Sequence, residues 1–370
     1  MDLSIKYSIF AIQLTITKMD RSIIKSNRIV LFDLIKCFAI FMVIWGHCIG
    51  QLTQTDCSQL PVYRIIYSFH MPLFMLISGY FASNSMNLSF KVFLAKKFRQ
   101  LIYPCIIWGA IIWLVTESMH SFCYNRETID LWGLLVDFYW FGDFWFLKSC
   151  FICYLIAYIG FHSGTSKKYW MPISLIISQG ISPFYISFMY PCFIIGIELH
   201  QNKSLFLKIN SHYGVIAISF LIMLFLYTEN TWNRSHGIPS NILNADFQAW
   251  IQLITYRLFR LFIGINGSFF FFLTFFKYFR RISNGKLIDF FSDCGIYTLE
   301  LYILQTLVLE RMITHYLQFN NVNQLLYNFF ITPTISIIIL LSLMFIIIHI
   351  YKHQIIGKVL FGTVKFSAKI

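Results

Sequence analysis

Lys36 and His47 stand eleven residues apart in the apolar run Leu31 to Gln51, with Asp33 just before the lysine. An α-helix turns through about 1100° over that interval, within about 20° of three full turns, so Asp33, Lys36, Val43 and His47 share a face. The same interval is about 16 Å along the helix axis. Lys36 therefore belongs at one rim of a membrane span and His47 deep in its other half. An imidazole at that depth can take a proton from a hydroxyl near neutral pH, which Lys and Arg do poorly. A histidine that only packs helices, with Lys36 snorkelling to the interface, would have the same spacing.

Other polar residues interrupt the apolar runs. Ser68, His70, Pro72, Ser78 and Gly79 lie together in the next run. There Pro72 frees a carbonyl, and Ser78 and Gly79 permit close approach of a helix or a ligand. Lys96 and Arg99, three apart, project from one side of a short amphipathic helix and suit the phosphates of a nucleotide-type donor; lipid headgroups would serve equally as partners. Asp143, Trp145 and Lys148 open a further run. Arg257 and Arg260, again three apart, suit an acidic sugar or a lipid pyrophosphate, or an ion pair with Glu300. Of nine cysteines only Cys150 and Cys153 form a CxxC, inside an apolar stretch, so no metal site is expected.

The elements that must carry these residues are membrane helices. Of 370 residues 58% are hydrophobic and 12% charged, about half the charged share of a soluble domain. Ten stretches approach the length that crosses hydrocarbon. They are Leu31 to Gln51, Arg64 to Ala82, Leu101 to Thr116, Phe144 to Phe161, Trp170 to Ser187, Phe188 to Leu199, Tyr213 to Tyr227, Ile254 to Phe276, Ile288 to Leu309, and Leu326 to Tyr351. With the N-terminus inside, most of the 29 Lys and Arg fall on the inner side. The outer segments hold only Arg64, Arg126, Arg234 and Arg311. This asymmetry predicts an all-α polytopic bundle with both ends cytoplasmic, in the inner membrane, and it accounts for the net charge of +13 without nucleic acid. Residues 1–30 read as a cytoplasmic tail or interfacial helix, with Met19 an alternative start, 31–351 as the membrane domain and 352–370 as a second cytoplasmic tail.

From Arg28 onward the chain resembles the membrane-bound acyltransferase-3 family, which includes bacterial polysaccharide O-acetyltransferases. The resemblance rests on RIVLFDLIKCFAIFMVIWGH, ending at His47, and on FHMPLFMLISGYF from Phe69 to Phe81. The basic pair before Tyr103 and Pro104, the WFLK run from Trp145 to Lys148 and GIYTLELYILQ from Gly295 to Gln305 are further matches. The chain departs from the family in having Lys36 and Lys96 where Arg is usual, and Gln305 where His is frequent. The resemblance implies transfer of an acyl group, most often acetyl from acetyl-CoA, to a hydroxyl of a saccharide or lipid-linked saccharide. His47 with Lys36 and Asp33 would then be catalytic, His47 as general base or acyl carrier. Lys96 and Arg99 would hold the acyl-CoA. His70, Ser78, Trp145, Lys148, Arg257 and Arg260 would contact substrate, with polar groups of the kinked second helix stabilising the oxyanion. The rival from another class is a glycan flippase or exporter without acyl chemistry. It would favour broken helices at paired positions of two halves, and no such halves are visible.

Overall fold

The computed structural model describes residues 30–124, 132, 143–181, 183–236, 247–278, 285–320 and 322–362. The expectations for the N-terminal tail, Met19 and Arg126 lie outside these residues, as do residues 363–370 of the C-terminal tail. The described secondary structure is entirely helical. In chain order the main helices are α1 (Val30–Gln51), α2 (Pro61–Met86), α3 (Phe90–Lys97), α4 (Tyr103–Tyr124), α5 (Trp145–Phe161), α6 (Lys167–Gln179), α7 (Ile186–Gln201) and α8 (Lys203–Ser211). They continue with α9 (Tyr213–Leu226), α10 (Glu229–His236), α11 (Phe247–Tyr278), α12 (Lys286–Ile296), α13 (Thr298–Gln305), α14 (Thr332–Lys352) and α15 (Gln354–Phe361).

Among the described residues five helical runs are long and apolar enough to cross a bilayer: Val30–Gln51, Pro61–Met86, Phe90–Ser118, Phe247–Tyr278 and Gln324–Lys352. The pair α8 and α9, bent by 67°, makes a sixth if taken as one broken span. The remaining predicted stretches are helical but shorter, with α5 spanning 17 residues, α6 13 and α7 16. The stretch predicted from Trp170 to Ser187 stops at Gln179, before left-handed backbone at Phe184 and Tyr185. The one predicted from Ile288 to Leu309 breaks at Tyr297 and resumes as α13. Nor do Lys96 and Arg99 belong to a separate amphipathic helix. A π-helical turn, Phe98–Ile102, joins α3 directly to α4.

Helix α1 runs through the centre of the bundle, with buried residues on nearly every side. Its final carbonyls have no partners within the helix, which is costly away from water. Other segments supply them. Tyr327 donates its hydroxyl to the Ile49 carbonyl at 2.9 Å, Gln318 Nε2 to Gln51 at 3.0 Å, and the Phe319 amide to Leu52 at 2.8 Å. Trp45 Nε1 donates to Thr332 Oγ1 at 3.0 Å. These bonds fix the segment preceding α14, and α14 itself, against the histidine end of α1. At the opposite end α15 docks on α4, where Tyr103 and Trp108 donate to the carbonyls of Val359 and Leu360 at 2.9 and 3.0 Å.

Close helix packing explains two glycines. A Cβ at Gly79 on α2 would stand 1.9 Å from the Phe193 carbonyl oxygen, and one at Gly196 on α7 2.0 Å from that of Leu76. In hydrocarbon, such backbone proximity replaces a hydrophobic driving force. Of the neighbouring residues expected to admit a helix or a ligand, Gly79 therefore receives the helix. Gly79→Ala and Gly196→Ala are each expected to destabilise the protein by about 1–3 kcal/mol or more. Gly214→Ala, where a Cβ meets nothing within 4 Å, is expected to be neutral or to stabilise by up to about 1 kcal/mol. Thermal unfolding of the purified protein in detergent measures all three.

Candidate active site in the helix bundle

The polar face expected on α1 divides into two pairs at different depths. At one end Lys36 Nζ lies 2.7 Å from Asp33 Oδ1, an i, i+3 pair with the carboxylate buried. At the other, His47 Nδ1 lies 3.0 Å from Glu310 Oε1, with 22% of the histidine side chain and 16% of the glutamate side chain exposed. Asp33 thus orients Lys36, and the partner of His47 comes from a distant part of the sequence. A carboxylate accepting from Nδ1–H fixes the tautomer whose Nε2 carries the lone pair.

Glu310 reaches His47 because of a helical irregularity. Beyond α13 the chain continues as a π-helical turn, Thr306–Ile313. On an α-helix, residues five apart point about 140° from each other. The wider π turn brings them to one side. Gln305 Nε2 accordingly donates to Glu310 Oε1 at 3.1 Å and to Thr306 Oγ1 at 3.1 Å. Gln305, where the family often has His, here holds the carboxylate that holds His47. Next in sequence, Arg311 Nη2 forks onto both oxygens of Asp143 at 3.0 and 2.9 Å. This pins the entry of α5 to the same turn.

The aromatic surroundings are continuous. The His47 ring lies 6.3 Å from that of Tyr67, which meets the His70 ring edge-on at 4.7 Å and stacks on Tyr63 at 4.0 Å. His70 is buried, with Nδ1 2.7 Å from the Ile66 carbonyl of its own helix. A cavity of about 160 Å³ opens beside α1 toward its Lys36 end. Lys36, Val43, Ser78, Cys150, Thr298 and Tyr302 are among the residues that line it. The lining reaches Val43, one turn of α1 and about 6 Å along the axis from His47. The structure thus brings Lys36 and Ser78 to one cavity and sets His47 just beyond its end.

The remaining predicted residues are distributed unevenly. Lys96 and Arg99 are exposed, whereas Lys97 between them is buried, its Nζ 3.7 Å from the centre of the Tyr154 ring. Tyr154 in turn donates its hydroxyl to the Ser78 carbonyl at 3.1 Å. Trp145 and Lys148 stand on the first turns of α5, near Tyr185 and Phe184 respectively. Arg257 and Arg260 do not act as a pair. Arg257 is exposed, while the guanidinium of Arg260 lies 5.3 and 4.5 Å from the ring centres of Tyr185 and Phe188. Glu300, the alternative ion partner considered for them, is fully buried and accepts from Tyr351 Oη at 2.6 Å. Among the described residues no three His, Cys, Asp or Glu side chains converge as metal ligands would.

Sequence reasoning missed Glu310, the Asp143–Arg311 fork and Lys97. The adjacent acid and base at the end of an apolar run, Glu310 and Arg311, were the available signal. No α-helical periodicity points either of them at His47.

Comparison with known proteins bears on these residues as a set. The chain is 29% identical over 186 residues to nodulation protein NolL of Mesorhizobium japonicum, covering 48% of this chain and 49% of that protein. It is 28% identical over 191 residues to nodulation protein NolL of Sinorhizobium fredii, covering 48% and 50%. The chain therefore spans about half the length of the curated relatives it matches. No solved structure matches it. A family model described as an acyltransferase domain matches residues 29–352, which include α1 to α14, both pairs on α1 and the π turn bearing Glu310. By that match the chain belongs to the acyltransferase-3 family.

Proposed function

We propose that this chain is a membrane-embedded O-acyltransferase that moves an acyl group, acetyl as the first choice, from cytosolic acyl-CoA to a hydroxyl of a saccharide or lipid-linked saccharide. The observation that carries this reading is the 3.0 Å contact between His47 and Glu310, one helical turn beyond a cavity lined by Lys36 and Ser78. In the proposed topology the membrane domain covers residues 31–351 in ten passes of the inner membrane. Both tails and the Lys36 end face the cytosol.

Lys96 and Arg99 attract the phosphates of the donor from the exposed start of the third span, and Lys36 stands at the mouth of the cavity. The thioester reaches toward His47 through the cavity. His47 Nε2 takes the proton of the acceptor hydroxyl as its oxygen bonds to the thioester carbonyl carbon. Polar groups of the kinked helix α2 face the developing oxyanion. When the C–S bond breaks, the imidazolium returns the proton to the departing thiolate. The products are the acyl ester and free CoA thiol. Throughout, Glu310 stabilises the charged ring without itself exchanging the proton.

A flippase needs neither the thioester nor a base, so thiol release separates the two classes. Protein reconstituted in nanodiscs with a hydroxylated saccharide to take the acyl group, or more slowly with water in its place, is expected to release CoA thiol from acetyl-CoA, as read with a thiol-reactive dye. His47→Ala is expected to lower kcat/KM by about 10²–10⁴-fold. Glu310→Gln is expected to lower it by about 10²-fold, chiefly in kcat. Undiminished glycan O-acetylation in cells expressing His47→Ala at normal levels would remove this histidine from the mechanism.

Ser78→Phe tests the cavity separately. A ring filling that space is expected to raise KM for acetyl-CoA about tenfold or more, with a smaller change in kcat. An unchanged KM would place the donor elsewhere.

A further inference from the structure

At the entry of α5, whose Phe146 and Leu147 line this cavity, left-handed backbone gathers cations and aromatic rings together. Among the described residues only Phe144, Phe184 and Tyr185 adopt positive φ without being glycine, at 64°, 56° and 55°. For bulky aromatic residues this conformation costs of order 1–3 kcal/mol each, and it persists where the surroundings over-determine it, typically at functional sites. All three serve one place. Phe144 starts α5, so Trp145 and Lys148 project from its first turns. Phe184 and Tyr185 form the break before α7. The Trp145 and Tyr185 rings meet edge-on at 5.1 Å, and Lys148 Nζ lies 5.6 Å from the centre of Phe184.

Arg260 enters from α11 and contacts the faces of Tyr185 and Phe188. Its Nε is buried without a hydrogen-bond partner among the described residues. A buried guanidinium nitrogen left unsatisfied is costly, and a ligand that accepts from it recovers the deficit. The cluster also connects to the proposed chemistry. Tyr63 stacks on Tyr67 beside His47, and Asp143, immediately before Phe144, lies within electrostatic reach of both His47 and Lys148.

From this arrangement we infer that Trp145, Tyr185, Lys148 and Arg260 form the acceptor subsite and that it selects an anionic saccharide. Aromatic faces cover the apolar C–H surface of a sugar ring, while the two cations take its negative group. That group is either a carboxylate on the sugar or the pyrophosphate of a lipid-linked sugar. The inference rests on the acyltransferase reading for its biological meaning, but binding can be measured without acyl transfer.

The test titrates full-length wild-type protein in nanodiscs, without any acyl donor, by calorimetry. The probes are methyl β-glucuronide, methyl β-glucoside and inorganic pyrophosphate. An anionic probe is expected to bind about tenfold tighter than the glucoside, the size of one charge-assisted hydrogen bond to a buried donor. Preference for the glucuronide assigns an acidic sugar, and preference for pyrophosphate assigns a lipid-linked acceptor. Arg260→Gln is expected to abolish the preference and Arg260→Lys to retain part of it. Should Arg260→Gln fail to give a monodisperse protein, Lys148→Gln carries the same comparison. Equal binding of all three probes, or a preference that survives both glutamine variants, overturns the anionic subsite. It would leave the His47 mechanism standing, just as full activity of His47→Ala would sink that mechanism without touching this result.

Discussion

An imidazole and a carboxylate deep in an apolar helix bundle are tolerated only if each satisfies the other. Separately, either would face a desolvation penalty of several kcal/mol. The His47–Glu310 contact meets that requirement, and much of the surrounding structure serves to make it possible. Gln305 steadies the carboxylate from one side, and the Arg311–Asp143 fork fixes the turn that bears it from the other. The bonds from Tyr327, Gln318 and Phe319 hold the end of α1 where the ring must sit. In the proposed mechanism these supports keep the ring in line with the acceptor hydroxyl, and a base out of line is a poor catalyst.

Helix α5 takes part in two groups of residues. Toward Lys36 lies a cavity bounded by α1, α2, α5 and α13. At the entry of the same helix, α5 and the break before α7 bring together Trp145, Lys148 and Tyr185, with Arg260 arriving from α11. In the proposed mechanism the donor enters through the cavity and the acceptor binds at this cluster. Gly79 and Gly196 bring α2, which lines the cavity through Met71, Phe74, Ile77 and Ser78, into close contact with α7.

Much of this was legible in the residues themselves. The apolar runs, the distribution of Lys and Arg, and the face shared by Lys36, Val43 and His47 all follow from local rules that hold without a partner. So does the adjacency of Ser78 and Gly79, although their division of labour, one facing the cavity and the other a helix, does not. Other distinctions needed the packing. Lys96 and Arg99 were singled out by spacing, but the continuation of α3 into α4 through a π turn buries Lys97 instead. Arg257 and Arg260 look equivalent at i, i+3, yet only Arg260 meets the aromatic rings of α7 and its preceding break.

The sequence alone therefore determined that this is a helical membrane protein of the acyltransferase-3 type, with a histidine in the second half of its first helix. Hydrophobicity and helical period are properties of consecutive residues, and they need no knowledge of what lies across the bundle. Tertiary structure decided which carboxylate that histidine meets and which cation finds the aromatic cluster. A π turn changes the angular register of every residue after it by an amount no α-helical period contains. The partner of His47 lies 263 residues away in a chain whose packing had first to be solved.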